Sequence, residues 1–543
     1  LPYKVVAVDE MRQIESECEA AGIVSAELMQ RAGRVLAERI RQILGDRNVS
    51  DPRITFLVGG GNNGGDALVA AADLARAGSP GVRIYLLKAR PDGDPLLAEA
   101  ESVGCFIASA ANDQRHRVLS NLVQSADLII DGIFGIGLQL PLREDAARQL
   151  RTIQSALREL QIQERDLLDV LYRPAHPARH ASRPYVLAVD VPSGIDADTG
   201  EAAAEVLRAD ETLTFIAAKR GLFQRQAASV AGRLTLSTLG ISTESTTLRS
   251  VRVVIFGYAE AQQALNVREG DSHKGTFGSV IIVGGSENYP GAPALCANAA
   301  GRAGAGLVRV AAYPTLSRQI HSVSPEPVAL LLPDDREDGN PSVSVIAEAA
   351  RSANALVIGP GLGQSAYSKR LVEGLLFERD PGIPVVVDAD ALNVLSQTPN
   401  WWAALRAQVI LTPHPGEMAR LCAITAEQVQ QNRLLLAAEK ALEWKVVLVL
   451  KGANTIIASP DGRLQVVPIQ TPALAKAGTG DILTGLIGGL LAQSLSPAEA
   501  AAAAVYVHGM AGLRTAQRMG TRAPLASDIL EGLANAFQSI EGS

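Results

Sequence analysis

The sequence predicts an α/β protein of two domains, each a mostly parallel sheet with helices on both faces, and three observations lead there. Short β-branched runs alternate with Ala- and Leu-rich helical stretches through most of the chain, the pattern of buried parallel strands joined by crossover helices. Several of these runs end in glycine-rich turns, above all at residues 59–66 and 477–485. The length of 543 residues exceeds what one ordinary core carries.

Composition narrows the function classes. Hydrophobic residues make up 47% and charged residues 20%, which is globular rather than disordered. A formal charge of −7 with Lys and Arg spread along the chain offers no nucleic-acid footprint. Cys18, Cys105, Cys296 and Cys422 show no CxxC and no metal-type spacing, so they read as reduced core thiols. Lys4, Asp9, Glu10 and Arg12 leave no apolar secretory stretch, and the most apolar segment, 482–495, is broken by Gly485, Gly488 and Gly489 and too short to span a bilayer. The expectation is a soluble, cytoplasmic protein with no membrane partner and homo-oligomeric assembly as the default.

The first domain, 1–250, opens with an amphipathic helical stretch over 11–44. A strand at 54–58 runs into Gly59-Gly60-Gly61-Asn62-Asn63-Gly64-Gly65-Asp66, and an Ala-rich helix is expected over 67–77. Further strands are readable at 82–87, 128–131 and 185–190. Residues 152–184, charged and containing Pro174, Pro177 and Pro184, read as an inserted polar helix plus loop; the prolines argue against a helical metal pair at His176 and His180. The glycine turn contains GxGxxG, which brings backbone N–H groups and a helix N-terminus toward a diphosphate. The acidic residue that normally closes the second strand is missing, since that strand ends Leu87-Lys88-Ala89-Arg90. Asn62 and Asn63 add side-chain carbonyl oxygens suited to a hard cation or polar ligand. Asp131, before the turn 132–138, and Asp190, before Pro192, Ser193, Gly194 and Asp196, place carboxylates at two more strand ends. In a parallel sheet such loops converge on one crevice.

The series GNNGGD, DGIFGIGL and VDVPSGID resembles the NAD(P)H-hydrate epimerase family over about residues 5–240, a Rossmann-like doubly wound domain. The resemblance implies potassium at Asn63, Asp131 and Ser193. It also implies that hydrated nucleotide is bound by Asn62, Asn63, Gly64, Gly65, Asp66, by Gly135, Ile136, Gly137, Leu138, Gln139, Leu140, Pro141, and by Asp190. Asp190 is the candidate for proton transfer at the hydroxylated ring carbon. Ala67 stands where that family usually has Gly.

The second domain, 251–543, has strands at 280–283, 355–358, 384–388, 409–411 and 446–450. Its sharpest motif is Ala477-Gly478-Thr479-Gly480-Asp481, where small residues let backbone N–H groups turn toward one point as a helix begins, an anion hole for a transferring phosphoryl group. Asp481 at its lip is placed to accept a proton from a substrate hydroxyl. Lys451-Gly452-Ala453-Asn454-Thr455 sets a cation and small polar groups at another strand end, and His414, between Pro413 and Pro415, follows a third.

GTGD with these partners is similar to the ribokinase-like superfamily. The ordered set HKGTFG, YPGA, GPGLG, DADALN, TPHPGE, KGANT and AGTGD, over about 270–535, resembles the ADP-dependent NAD(P)H-hydrate dehydratases. The resemblance implies substrate contacts at Ala292, at a glycine such as Gly361 or Gly363, at His414 and at Asp481. It implies adenine nucleotide at Lys451, Gly452, Ala453, Asn454, Thr455, Gly478, Thr479 and Gly480, with ADP as cosubstrate, ATP as the alternative, and Mg2+ accompanying the phosphates. Leu513 replaces a commonly acidic residue and is expected to weaken a helix cap. Two rivals remain at this level: a ribokinase-like small-molecule kinase, and a noncatalytic N-terminal binding module.

Overall fold

The structure, a computed structural model, describes residues 2–79, 81–163, 183–241, 245–265, 267–334 and 339–542. The chain falls into two compact units, one ending at Val251 and the next starting at Arg252.

The first unit is built on seven parallel strands: β1 (Ile54–Val58), β2 (Val82–Leu86), β3 (Phe106–Ser109), β4 (Leu128–Gly132), β5 (Tyr185–Val189), β6 (Glu211–Phe215) and β7 (Arg233–Ser237). They lie in the order β3-β2-β1-β4-β5-β6-β7, so strand order reverses between β1 and β4. This is the doubly wound order, with its ligand crevice at the switch point. Every residue of β1, β4 and β6 is buried; β1 and β4 are largely apolar, whereas β6 carries Glu211, Thr212 and Thr214 in buried positions. The leading helical stretch is two helices, Val8–Ala20 and Ser25–Asp46. The second packs so closely on the helix Asn62–Arg76 that a methyl on Gly33 would lie 2.4 Å from Val69.

Three expectations change here. The helix expected to start at 67 starts at Asn62, because backbone N–H groups after the glycine turn already close helical bonds, and the asparagines therefore sit in its first turn. Ala67, fully buried inside that helix, needs no glycine backbone. The front of the inserted segment is helical within Glu144–Gln163, while His176 and His180 lie outside the described residues.

Among its described residues the second unit carries ten strands: β8 (Val253–Ile255), β9 (Ser279–Val283), β10 (Leu307–Ala312), β11 (Val328–Leu331), β12 (Ala355–Ile358), β13 (Val385–Val387), β14 (Val409–Leu411), β15 (Val447–Leu450), β16 (Thr455–Ala458) and β17 (Leu464–Val467). Their order is β8-β17-β16-β15-β14-β13-β12-β9-β10-β11, parallel except where β16 pairs antiparallel with β15 and β17. Thr455 thus opens a strand instead of ending a loop. The helix Thr479–Ala492 is buried along most of its length. Methyl groups on Gly485 and Gly489 would lie 2.1 and 2.5 Å from the backbone oxygens of Cys296 and Ala300, so these glycines seat it against the helix Gly291–Arg302. Leu513 lies inside the helix Pro497–Met519 and not at an end, so there is no cap for it to weaken. No helix among the described residues is long and apolar enough to cross a membrane.

Candidate active sites

In the first unit the loops leaving β1, β4 and β5 meet at the switch point. A methyl on Gly59 would lie 1.9 Å from the backbone oxygen of Ile133, and one on Gly64 would lie 2.1 Å from that of Gly59. Only glycine allows this approach. Gly64 and Gly65 do not line either of the two cavities described next; they serve close packing, Gly65 against Met29. Asn62, Asn63 and Asp66 face a cavity of ≈350 Å³ with Asp190 and Ile136. Gly135, Gly137, Leu138, Gln139, Leu140 and Pro141 line an adjoining space of ≈1300 Å³ that also includes Gly59, Gly60 and Gly61.

Asn63 donates its amide hydrogens to the carbonyl oxygens of Phe134 at 3.0 Å and Val189 at 2.6 Å. It therefore ties the three loops together through its nitrogen, where sequence reasoning had invoked its oxygen. Asp131 is fully buried and accepts from Ser193 N at 2.8 Å and Ser193 Oγ at 2.5 Å. Ser193 Oγ in turn accepts from Phe134 N at 3.0 Å. No cationic side chain among the described residues pairs with Asp131, and burial pushes its carboxyl up to about 6. A buried carboxylate lacking a counter-charge, bonded to the Ser193 hydroxyl, has the chemistry of a hard-cation ligand; Asn63 joins it at the same loop junction through Phe134 O.

Asp190 follows β5 with φ 66°, a left-handed backbone that aspartate tolerates better than most residues. Its Oδ1 accepts from Lys219 Nζ, from Thr214 Oγ1 at 3.0 Å and from Phe215 N at 3.2 Å, while no described protein donor reaches Oδ2. Lys219 is only 2% exposed, and its ammonium also donates to Phe215 O at 3.0 Å. Burial, then the charge of Asp190, pushes the Asp66 carboxyl well above the usual range; burial raises Glu15 as well. Lys219 and Glu15 were missed from the sequence because neither stands in a motif; only folding brings them to Asp190.

In the second unit the ends of β12, β13, β14 and β15 meet the start of the helix Thr479–Ala492. Asp388, 1% exposed, is the hub: its Oδ1 accepts from Lys451 Nζ at 2.8 Å and its Oδ2 from Thr484 Oγ1 at 2.6 Å. Burial favours the neutral acid, but Lys451 and Thr484 outweigh it and hold Asp388 below the usual carboxylate range. Lys451, expected to be free for phosphates, is thus already engaged, with Glu417 Oε2 at 3.8 Å as a second neighbour. Gly480 sits over this pair: a methyl there would lie 3.6 Å from Lys451 Nζ and 3.9 Å from Asp388 Oδ2.

Asp481 lies in the first turn of that helix, after Gly478 at φ 90°. Burial, then Asp388, pushes its carboxyl up to about 7, so a proton is gained or lost near neutrality. Thr479 spends its hydroxyl on Leu474 O and Lys476 O, both at 2.8 Å, so its side chain fixes the turn. His414 caps the helix Pro415–Cys422, its Nδ1 accepting from Gly416 N at 3.0 Å; burial and Lys451 lower its pKa and favour the neutral ring. Glu417, driven up to about 7 by burial, closes the capping box from 2.7 Å. Gly363 N donates to Asp390 Oδ2 at 2.8 Å, and a methyl on Gly361 would lie 2.8 Å from Ala292 Cβ, which brings these three predicted contacts together. Gly452 and Ala453 are exposed, whereas Asn454 is buried and turned into the protein. No group of three or more His, Cys, Asp or Glu side chains able to hold a metal occurs among the described residues.

Comparisons with known proteins agree with this division. Residues 25–221 match the family model of the YjeF-related protein N-terminus, and residues 280–535 match that of NAD(P)H-hydrate dehydratase. The bifunctional NAD(P)H-hydrate repair enzyme of Moorella thermoacetica is 35% identical over 99% of this chain and 97% of its own. Its Escherichia coli counterpart is 34% identical over 98% and 94% respectively. A solved ADP/ATP-dependent NAD(P)H-hydrate dehydratase from Bacillus subtilis, co-crystallised with ATP and Mg2+, covers 53% of this chain and 98% of its own at 31% identity and TM-score 0.46. With near full-length relatives above 30% identity and two domain models matched in order, the chain belongs to the family of bifunctional NAD(P)H-hydrate repair enzymes.

Proposed function

We propose that this chain repairs hydrated NADH and NADPH, the first domain interconverting the R and S forms and the second dehydrating the S form as ADP becomes AMP and phosphate. The observation that carries the reading is the placement of Asp481 in the first turn of a buried helix, beside Gly480 and the Lys451–Asp388 pair.

The hydroxyl on the saturated ring carbon is a poor leaving group until it is phosphorylated. Asp481, with its carboxyl near 7, accepts the hydroxyl proton as its oxygen attacks the β-phosphorus of ADP. The N–H groups of Gly478 and Gly480 face the charge that builds on the transferring phosphoryl, while that of Thr479 is held by Lys476 O at 3.4 Å. Phosphate then leaves with the C–O bonding electrons, a ring proton is lost, and the double bond returns. Magnesium, brought with the nucleotide, would screen the charge of its phosphates. The neutral ring of His414 and the backbone around Gly361 and Gly363 orient the ring.

In the first domain Asn63, Asp131 and Ser193 would hold potassium, which supplies a fixed positive charge at the loop junction. Asp190, anchored through Oδ1 by Lys219, Thr214 and Phe215, leaves Oδ2 for proton transfer at the hydroxylated carbon.

The test is return of dihydronicotinamide absorbance from an acid-hydrated NADH epimer mixture with potassium, magnesium and either ADP, ATP or neither. Full, nucleotide-dependent recovery with AMP as product is expected. Recovery stopping at one epimer would remove the epimerase, and a stable phosphorylated product would install the kinase reading.

A further inference from the structure

Arg433 is 2% exposed, opens the helix Arg433–Trp444, and has no carboxylate partner among the described residues. A buried guanidinium without a counter-anion is costly, and burial alone draws its pKa down to about 10. Its hydrogens are spent on one loop. Nη2 donates to Leu450 O at 3.1 Å and Asn454 O at 3.5 Å, and Nη1 donates to Lys451 O at 3.3 Å and Gln430 Oε1 at 3.3 Å. Nε has no partner.

The loop is shaped around this cation. Gly452, at φ 147°, passes directly over the guanidinium, and a methyl there would lie 2.5 Å from Nη1. Carbonyls of 450, 451 and 454 therefore point inward. The N–H groups of Lys451 and Asn454 are used within the protein, on Pro413 O at 2.9 Å and Ile469 O at 3.2 Å. Those of exposed Gly452 and Ala453 meet no acceptor among the described residues. Successive free N–H groups backed by a buried positive charge make an anion-binding concavity.

We propose that Arg433 is the positioning residue of the nucleotide loop: it gathers the carbonyls of 450, 451 and 454 beneath the loop so that the Gly452 and Ala453 amides face the phosphates of ADP. The inference rests on the dehydratase reading of this domain. The guanidinium does not touch the nucleotide; it acts through backbone and through its field, and the phosphates supply the counter-charge that the protein withholds. Lysine cannot replace it, because one ammonium cannot span three carbonyls in the plane of a fork.

The experiment uses the full chain and Arg433→Met and Arg433→Lys. The readouts are KM for ADP, KM for hydrated NADH, kcat at saturating ADP, and the rise in Tm that ADP alone produces. The expected result is a KM for ADP raised roughly 10- to 100-fold in both variants, in line with misplacing a ligand-holding element from a distance. The ADP-induced Tm rise shrinks in step, while KM for hydrated NADH and kcat at saturation stay near those of the parent. If Arg433→Met does not fold, Arg433→Lys, which keeps the charge but not the fork, must by itself show the raised KM for ADP. A variant with a lowered Tm but an unchanged KM for ADP and an unchanged ADP-induced rise would make Arg433 a structural residue and overturn the proposal. Failure of the dehydratase reading looks different: the parent protein itself shows no ADP-dependent recovery.

Discussion

Replacing Lys451 with methionine removes the cation that compensates Asp388 while keeping the length of the side chain. Asp388 is 1% exposed and the Lys451 side chain 18%, so the pair is mostly shielded from water. Breaking a buried pair from one side costs roughly 3–5 kcal/mol, because a charge is stranded. Thr484 still satisfies one Asp388 oxygen at 2.6 Å, which points to the lower end, about 3 kcal/mol. At roughly 2–4 °C per kcal/mol for a large domain, the second unit should melt about 6–12 °C lower.

The sign with pH follows from the two partners. Asp388, held below its usual range, contributes stability that is present above about pH 4 and lost as pH falls through its folded pKa. Lys451, raised by Asp388 and Glu417 against the pull of burial, contributes stability that is lost only as pH rises through its folded pKa, above about 10. The parent therefore has the full benefit between those limits. Without Lys451 the buried carboxyl of Asp388 takes up a proton more readily, so the deficit should be smaller at pH 5 than at pH 8. Calorimetry at both values, with Asp388→Asn/Lys451→Met as the second arm of a double-mutant cycle, measures it; the double variant should regain part of the loss. A deficit below about 1 kcal/mol and equal at both pH values would refute the buried-pair argument.

Further outcomes can be stated briefly. Asp481→Asn should abolish ADP-dependent recovery, and in the parent kcat/KM for recovery should climb with pH through about 7 as Asp481 ionises; a flat profile from pH 6 to 8 would assign the base elsewhere. Gly59→Ala places a methyl 1.9 Å from Ile133 O, which costs roughly 1–3 kcal/mol of overpacking in the first unit. Epimer exchange should be lost while dehydration of the S form continues, which chromatography of the two epimers reads directly. Potassium should raise the melting temperature of the parent by an amount equivalent to about 2.7 kcal/mol at a hundredfold excess over Kd. Asp131→Asn should erase that rise; if it does not, the cation is held by other residues.

Motifs were legible where chemistry is carried by consecutive residues. The turn 59–66, the strand-end carboxylates Asp131 and Asp190, and the GTGD turn could be read because a glycine turn between strand and helix has a local steric cause. Boundaries were less legible. The asparagines were read as a loop since Asn-Asn-Gly-Gly has poor helix propensity, yet packing against the helix Ser25–Asp46 carries the helix back to Asn62. The strands Thr455–Ala458 and Leu464–Val467 escaped notice because they are short and form a hairpin whose first strand runs against an otherwise parallel sheet.

The amino-acid sequence by itself determined the α/β class, the presence of two units and the strand ends at which chemistry gathers, because apolar periodicity and glycine turns act over a few residues. Only the tertiary structure decided which charges meet. Lys219 reaches Asp190 across 29 positions, Lys451 reaches Asp388 across 63, and Arg433 lies under a loop that starts 17 residues later. Such pairings arise where strand ends and loops distant in sequence become adjacent at one edge of a sheet; Asp388 and Lys451 follow strands two places apart in the order, with Val409–Leu411 between them. Whether a lysine is a free phosphate ligand or one half of a buried pair is settled by that adjacency and by the loss of water around it.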